Sequence, residues 1–140
     1  MIVDDIMSKT LVSVTMDDNL WVVKTLFEKT GFHHLLVIQD NQLKGIISDR
    51  DYLKAISPHI DTAKETAKDT DTLNKSVQQI MTSDVITLNP DADVYDAITI
   101  FNSHKISCIP ITDQNNTPLG IVSWRDIMLV VAKTRKKANK

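Results

Sequence analysis

The feature that most constrains the fold of this chain is an internal repeat with a period of 74 to 75 residues. The heptapeptide Gly45–Asp51 (GIISDRD) returns 75 residues later as Gly120–Asp126 (GIVSWRD). The sequence contains only 3 glycines, and two of them open these heptapeptides. In each copy an apolar run follows the glycine, a serine ends that run, and an Arg-Asp pair comes two residues after the serine. A repeat of this length predicts two copies of one supersecondary unit.

The similarity between the copies extends well beyond the heptapeptide. Ile6–Met7 matches Ile80–Met81, and Val12–Val14 is similar to Ile86–Leu88, both at a spacing of 74. The offset grows to 75 near Asn115–Thr117, where the second copy carries one additional residue. Because surface turns tolerate insertions, an extra residue at that point fits two copies of a shared architecture.

Each copy is predicted to form a strand, a helix, a β-hairpin and a second helix, which makes the fold class α+β with an α/β-like order. Leu20, Val23 and Phe27 recur at helical spacing and predict an amphipathic first helix. Asp17 and Asp91 are the predicted N-caps of the first helices. The predicted strands are Leu11–Val14, Leu35–Ile38 and the run from Gly45, with Val85–Leu88, Ile109–Thr112 and the run from Gly120 as their counterparts. The closing helices are predicted to begin near Asp49 and Trp124.

The repeat also predicts the organisation of the chain. We expect a first repeat at residues 1–57, a linker at 58–71, a second repeat at 72–133 and a basic tail at 134–140. Ala63–Lys68 is a candidate for a short helix in the linker. The apolar residues Val3 and Ile6 are assigned to the start of the first repeat, as Val77 and Ile80 are to the second. A single copy of ~50 residues is marginal on its own, so the two are expected to pack about a pseudo-twofold axis.

Composition narrows the class of protein. A hydrophobic content of 42% and a net charge of −2 are ordinary for a globular chain of 140 residues. The single cysteine, Cys108, excludes an internal disulfide and favours a reducing compartment. No apolar run reaches the ~20 residues that span a bilayer, and the N-terminus lacks the layout of a secretion signal. We therefore expect a cytoplasmic protein without membrane insertion.

No motif of a catalytic site is present in the sequence. It contains neither a nucleophile elbow nor a phosphate-binding Walker loop, so an enzyme is not expected. The adjacent residues His33 and His34 point to opposite faces if they lie on a strand, and His59 and His104 are scattered. No metal-ligand spacing results, and no metal or catalytic cofactor is predicted.

The repeated turn allows two interpretations. Ser48 with Asp51, and Ser123 with Asp126, have the spacing of a capping box, which would serve only to begin a helix. The alternative is a nucleotide site. The glycine admits a close approach of a backbone or a ligand. The helix N-terminus and the neighbouring arginine favour phosphate, and an aspartate accepts hydrogen bonds from a ribose diol.

On these residues the two copies resemble CBS domains, and the chain resembles a CBS-domain pair, or Bateman module, that stands alone. The matching elements are Gly-apolar-apolar-Ser-x-x-Asp at 45–51 and 120–126 and the strand from Ile109 with Asp113 after it. The resemblance covers roughly residues 1–133. It implies two β-α-β-β-α repeats, clefts between them, a homodimer, and regulation by an adenosine-containing ligand such as AMP, ADP, ATP or S-adenosylmethionine, with an unknown effector protein downstream.

The resemblance also implies roles for individual residues. Asp126 and Asp51 would hold the ribose. The phosphate would face Ser123, Arg125, Ser48 and Arg50, and the base would lie near Val12, Ile86 and Pro110. His34 is a further phosphate candidate, judged from its place just before the strand. The second copy has the proline usual in the family at position 110, whereas the first has Leu36, so the second turn is the better match.

The remaining candidates have weaker signals. Cys108 occupies the position equivalent to His34 and is expected to be a buried, inert thiol. Trp124 is a candidate for a subunit interface. Two alternatives to a nucleotide sensor stay open. One is a structural protein-interaction module in which the turns are only caps, and the other is nucleic-acid contact through the basic tail, which contains Lys133, Arg135, Lys136, Lys137 and Lys140.

Overall fold

The computed structural model describes residues 1–138 and divides them into two compact units. The first unit is the continuous stretch Val12–Val85. The second unit combines Met1–Leu11 with the chain from Ile86 onward. The mixture of helices and strands confirms the predicted α+β class.

The first unit contains a three-stranded sheet and four α-helices. Its sheet has the order β1-β2-β3, with β1 parallel to β2 and β2 antiparallel to β3. A 3₁₀ helix at Thr72–Asn74 precedes the last helix. The elements are β1 (Ser13–Val14), α1 (Leu20–Thr30), β2 (His34–Gln39), β3 (Gln42–Ser48), α2 (Asp49–Ala55), α3 (Ala67–Asp71) and α4 (Val77–Ile80).

A two-residue turn joins β2 to β3. Asp40 and Asn41 have φ of 54° and 62°, and Gln39 pairs with Gln42 across the turn. Positive φ at both central residues is the requirement of the type I′ turn, which matches the twist of a hairpin. The core beneath this sheet consists of Val14, Leu20, Val23, Leu35, Val37, Ile47, Tyr52, Leu73 and Val77.

As far as its residues are described, the second unit is built on the same plan with one strand fewer. Its elements are a 3₁₀ helix at Val3–Asp5, then α5 (Val94–Ser103), β4 (Cys108–Thr112), β5 (Pro118–Ser123) and α6 (Trp124–Ala138). β4 and β5 form an antiparallel hairpin. The core consists of Val3, Val94, Ala97, Phe101, Ile109, Ile111, Val122 and Ile127. Most of these positions lie 74 or 75 residues after a core position of the first unit, so the repeat in the sequence is a repeat of buried positions.

The predicted strand Val85–Leu88 is wrong, and Pro110 supplies the reason. In the first unit the N–H of Leu36 donates to the carbonyl of Val12 at 3.2 Å and extends the parallel ladder. Pro110 stands at the equivalent position of β4 and has no N–H to donate. Only an isolated bridge between Leu88 and Ile111 remains there, with Leu88 N–H donating to the Pro110 carbonyl at 3.2 Å.

The predicted N-caps Asp17 and Asp91 are also wrong, because both helices begin later. Asn19 caps α1 by accepting from the N–H of Trp21 at 3.1 Å, and Asp93 caps α5 by accepting from Tyr95 at 2.8 Å. Asp91 instead donates its N–H to Asn89 in the preceding turn. The linker helix likewise lies at Ala67–Asp71 and not at Ala63–Lys68, since Thr66 and Asp69 form the capping box that begins it.

The segment that opens the sequence packs against the sheet of the second copy. Ser8 and Ile121 exchange hydrogen bonds of 2.9 and 3.0 Å, and Val3 is buried in the core of the second unit. Thr82 and Ile46 form the equivalent pair, at 2.9 and 3.0 Å, in the first unit. Val3 and Ile6 open the first repeat of the sequence, and in the structure they pack in the second unit.

Candidate functional site

The strand–helix turn of the first unit is a capping box. The N–H of Asp51 donates to Ser48 Oγ at 3.0 Å, and the N–H of Ser48 donates to Asp51 Oδ2 at 3.0 Å. The reciprocal pair satisfies two donors at the start of α2. The prediction that Ser48 and Asp51 form a helix cap is therefore confirmed.

The turn of the second unit repeats this arrangement at the start of α6. Ser123 N–H donates to Asp126 Oδ2 at 2.8 Å, and Asp126 N–H donates to Ser123 Oγ at 3.4 Å. Ser123 Oγ is also 3.1 Å from Asp126 Oδ2. Within residues 1–138, each aspartate is hydrogen-bonded through Oδ2 alone, so Oδ1 of Asp51 and of Asp126 remains available to another donor.

An exposed arginine stands inside each turn. Arg50 and Arg125 lie one residue before the capping aspartates, and both side chains are exposed. Neither guanidinium makes an ion pair in the part of the chain that the structure describes. A guanidinium in that state presents its five donors to solvent in a planar fork, which suits the oxygens of a phosphate or a carboxylate.

The glycines of the two turns allow a second segment of the chain to approach closely. A Cβ on Gly45 would lie 2.7 Å from Met81 Sδ and 2.9 Å from the Thr82 carbonyl. A Cβ on Gly120 would lie 2.5 Å from Met7 Sδ and 2.8 Å from the Ser8 carbonyl. The close approach is made by the backbone of a segment of the same unit, which is one of the two possibilities, backbone or ligand, that these glycines offered. The repeated Ile-Met pairs were the signal in the sequence that could have indicated this contact.

Position 34 and its counterpart, position 108, lie beside the turns. His34 pairs with Ser48 across the β2–β3 ladder, and Cys108 pairs with Ser123 across β4–β5. Burial lowers the pKa of His34 and outweighs the opposing influence of the Asp49 carboxylate. Burial raises the pKa of the Cys108 thiol to about 12. A neutral imidazole and an inert thiol result, and the prediction of a buried, unreactive cysteine agrees with this environment.

Sequence reasoning missed a histidine–aspartate hydrogen bond at the first turn. His33, which precedes β2, has its Nδ1 2.8 Å from Asp49 Oδ2, and Asp49 N–H donates to the His33 carbonyl at 2.9 Å. Burial works to raise the pKa of Asp49, but the hydrogen bonds from His33 and from the Arg50 backbone outweigh it, and the pKa is lowered. The second turn has Ser107 and Trp124 at these positions, and Trp124 stacks on Phe101 with ring centroids 5.3 Å apart.

The residues assigned to the base lie near the same end of each sheet. Val12 is half-buried and bonds to Leu36, two residues along β2 from His34. Pro110 is buried and lies two residues along β4 from Cys108, and Ile86 is half-buried two residues before Leu88. Each unit therefore brings its own candidate ligand-binding residues toward one end of its sheet. They are Val12, His34, Ser48, Arg50 and Asp51 in the first unit, and Ile86, Pro110, Ser123, Arg125 and Asp126 in the second.

The residues that the structure describes contain neither a metal-binding group nor a membrane-spanning helix. No group of three or more His, Cys, Asp or Glu side chains in residues 1–138 could hold a metal ion. No helix in that range is both long enough and apolar enough to cross a bilayer. Of the predicted basic tail, residues up to Lys137 lie on exposed turns of α6, and Lys140 lies outside the described residues.

Comparison with known proteins identifies the repeated unit. A model of the CBS domain matches the chain twice, at residues 3–58 and 77–133. An uncharacterized protein of Methanocaldococcus jannaschii is 27% identical over 130 residues, which cover 93% of this chain and 39% of that protein. The chain thus spans well under half the length of that relative.

Two solved structures share the fold over nearly the whole chain. The CBS domain pair of protein MJ0100, in complex with 5′-methylthioadenosine and S-adenosyl-L-methionine, gives a TM-score of 0.78 at 24% identity and covers 96% of this chain and 98% of its own. The structure of CBSX2 in complex with AMP gives a TM-score of 0.80 at 21% identity, with coverage of 96% and 98%. At these identities the likeness establishes a shared architecture.

Proposed function

The chain belongs to the CBS domain family, and we propose on that premise that it is a regulatory module that binds an adenosine-containing ligand at its two repeated turns. AMP, ADP, ATP and S-adenosylmethionine are the candidate ligands, and each acts as a regulatory ligand and not as a catalytic cofactor. The bound complexes of MJ0100 and CBSX2 support this ligand class. The chain itself is proposed to catalyse no reaction.

The observation that carries this proposal is the incomplete use of the groups in the turns. A residue that serves only as a cap needs neither a second carboxylate oxygen nor an arginine beside it. Both turns nevertheless combine an Oδ1 without a partner and a guanidinium without an ion pair, within the described residues. A chance combination of these groups is expected at one turn more readily than at the equivalent positions of both turns.

The proposed roles follow from the chemistry of each group. Oδ1 of Asp126 and of Asp51 would accept hydrogen bonds from a ribose diol while Oδ2 continues to cap the helix. Arg125 and Arg50 would bind phosphate or a ligand carboxylate, with Ser123 and Ser48 as further donors. His34 would contribute a hydrogen bond and not a charge, because burial lowers its pKa. Ile86 with Pro110, and Val12 in the first unit, would contact the base.

A homodimer is the second part of the proposal, and an apolar groove of the second unit supports it. The groove has a volume of about 480 Å³ and lies between the N-terminus, α5 and α6. Tyr95 and Val131 line it and remain 75% and 54% exposed, although such side chains are usually covered. Asp93 and Arg135 lie on the same groove, so its charges are complementary to those of a second copy turned by a twofold rotation.

An effector protein that senses the ligand-bound state is the third part of the proposal.

A cytoplasmic location completes the proposal. The free thiol of Cys108 supports it, because unpaired cysteines persist in reducing compartments.

Calorimetric titration with AMP, ADP, ATP and S-adenosylmethionine tests the proposal directly. The decisive variant is Asp126→Asn, which keeps an oxygen for the Ser123 N–H and replaces the other carboxylate oxygen by an amide. A lost hydrogen bond to a charged group contributes about 1.5–3 kcal/mol, so affinity at the second turn should fall by about 10- to 100-fold while the protein stays folded.

The matched control is Asp96→Ala in the same unit. Asp96 Oδ2 accepts from the Asp93 N–H at 3.2 Å in another capping box, and no arginine accompanies it. This variant should lose about 1 kcal/mol of stability without any loss of affinity. Intact folding with no heat from any of the four ligands would overturn the nucleotide proposal and leave a structural interaction module. A steeply salt-dependent affinity for nucleic acid that disappears on deletion of residues 133–140 would favour the basic tail instead.

A further inference from the structure

The two turns differ in charge at a single position. In the first turn, Asp49 follows Ser48, whereas in the second, Trp124 follows Ser123. With Arg50 and Asp51, the first turn carries two carboxylates and one guanidinium. The second turn carries one of each. The first turn is therefore more negative by one full charge.

The charge of Asp49 is fixed in place by His33. His33 Nδ1 lies 2.8 Å from Asp49 Oδ2, and the backbone N–H of Asp49 is bonded to the His33 carbonyl. The lowered pKa of Asp49, which results from hydrogen bonds that outweigh its burial, keeps the carboxylate ionised near neutral pH. The side chain of Asp49 is 45% exposed, so its field reaches the solvent where a ligand would arrive.

Trp124 has no comparable effect on the second turn. Its ring stacks on Phe101 with an interplanar angle of 30° and adds apolar surface there. Its backbone N–H donates to the Ser107 carbonyl at 3.3 Å, as that of Asp49 does to the His33 carbonyl, so the two turns share this backbone hydrogen bond. Within the seven residues of the two turns, the difference in charge is therefore confined to the side chain at this position.

We propose that Asp49 makes the first turn discriminate against ligands of high negative charge, so that AMP or S-adenosylmethionine is preferred there over ATP, whereas the second turn does not discriminate. This inference rests on the proposed function and assigns a specificity-determining residue within it. ATP carries about two more negative charges than AMP, and at a separation of roughly 8 Å in a water-like dielectric their repulsion from one carboxylate corresponds to about fivefold in affinity. Added salt should reduce the effect, because the turn is open to solvent.

The experiment measures nucleotide binding at each of the two turns separately. In an Asp126→Asn background the first turn is measured, and in an Asp51→Asn background the second. Asp49→Asn is then added to each. The asparagine retains an oxygen that accepts from His33, so it removes the charge and keeps the hydrogen bond. AMP and ATP are titrated by calorimetry at about pH 8, where histidine is largely neutral, without divalent cations.

The expected result is specific to one background. In the Asp126→Asn protein, Asp49→Asn should lower the ratio of the ATP dissociation constant to the AMP dissociation constant by about fivefold. In the Asp51→Asn protein the same substitution should leave the ratio unchanged.

Three outcomes would overturn the inference. An unchanged ratio in the Asp126→Asn background means that Asp49 does not discriminate, and an equal change in both backgrounds means that the effect is not local. If the Asp126→Asn protein binds no nucleotide while the parent protein does, the first turn is not a site. These results leave the proposed function intact for the second turn. A folded parent protein that binds neither nucleotide removes both the proposed function and the inference.

Discussion

Substituting the three glycines one at a time by alanine tests whether two of them exist to admit the opening segments of the repeats. In Gly120→Ala the new methyl carbon would lie 2.5 Å from Met7 Sδ and 2.8 Å from the carbonyl oxygen of Ser8. The methionine side chain can rotate away. The carbonyl cannot, because it belongs to the backbone and accepts the Ile121 N–H at 3.0 Å. The segment must therefore move.

The magnitude follows from what that movement disrupts. Overpacking of a filled site costs about 1–3 kcal/mol, and each of the two Ser8–Ile121 hydrogen bonds contributes about 1 kcal/mol. We expect Gly120→Ala to lower the free energy of unfolding by about 2–4 kcal/mol. Gly45→Ala should lose a similar amount, because its methyl would meet Met81 Sδ at 2.7 Å and the Thr82 carbonyl at 2.9 Å.

Gly31 provides the matched control. Nothing lies within 4 Å of a Cβ built there, but its φ is 69°. Alanine in this left-handed conformation costs about 1–2 kcal/mol and disturbs no packing. The free energies come from urea titrations followed by circular dichroism. The double variant Gly120→Ala with Met7→Ala should recover little, because the backbone contact remains. The reasoning is refuted if Gly120→Ala is no more destabilising than Gly31→Ala.

Three further predictions concern the sheet, the thiol and the dimer. Leu36→Pro should lower the free energy of unfolding by about 1–3 kcal/mol because it removes the hydrogen bond to the Val12 carbonyl. The control Leu36→Val keeps the N–H and should lower it by about 1 kcal/mol, so equal losses in urea titrations would contradict this prediction. Cys108, buried and with a thiol pKa of about 12, should react with a thiol reagent at about pH 8 only after unfolding, and rapid labelling of the folded protein would contradict its burial. Tyr95→Glu should shift the proposed homodimer to monomer in sedimentation, because it places a charge in the apolar groove. Glu28→Gln on an exposed site is the control, and a dimer that persists in Tyr95→Glu would exclude this groove as the interface.

Helices and hairpins were predictable because their signals are periodic and local. Leu20 and Val23 are fully buried on one face of α1, as their spacing indicated, and the polar residues Asp40 and Asn41 form the tight turn of the first hairpin. The same holds for Ser48 and Asp51, whose spacing alone identified the capping box. In each case the partner lies within a few residues along the chain.

What the sequence did not predict depends on partners that are distant in the chain. The loss of a strand at Val85–Leu88 follows from Pro110, which lies more than twenty residues later. The pairing of His33 with Asp49 joins residues 16 apart across a hairpin, and no pattern in the sequence indicates it. The placement of helix starts at Asn19 and Asp93 required knowing which of several nearby polar residues faces the first turn. The binding roles of Asp51 and Asp126 stay predictions, although the structure shows that each has an oxygen to spare among the described residues.

The segment Met1–Leu11 packs in the second unit and not beside the residues that follow it in the chain. This has a consequence for the order in which the chain can fold. The first unit is continuous, so every residue it needs has been synthesised once Val85 leaves the ribosome. Ser8 must wait for Ile121, which is more than a hundred residues later, before its backbone groups find their partners. Closing so long a loop is slow compared with local pairing. The residues around Ser8 are made well before Ile121 and are thus among the last to reach their final contacts, and until then Val3 and Met7 are an exposed apolar segment that a chaperone can bind.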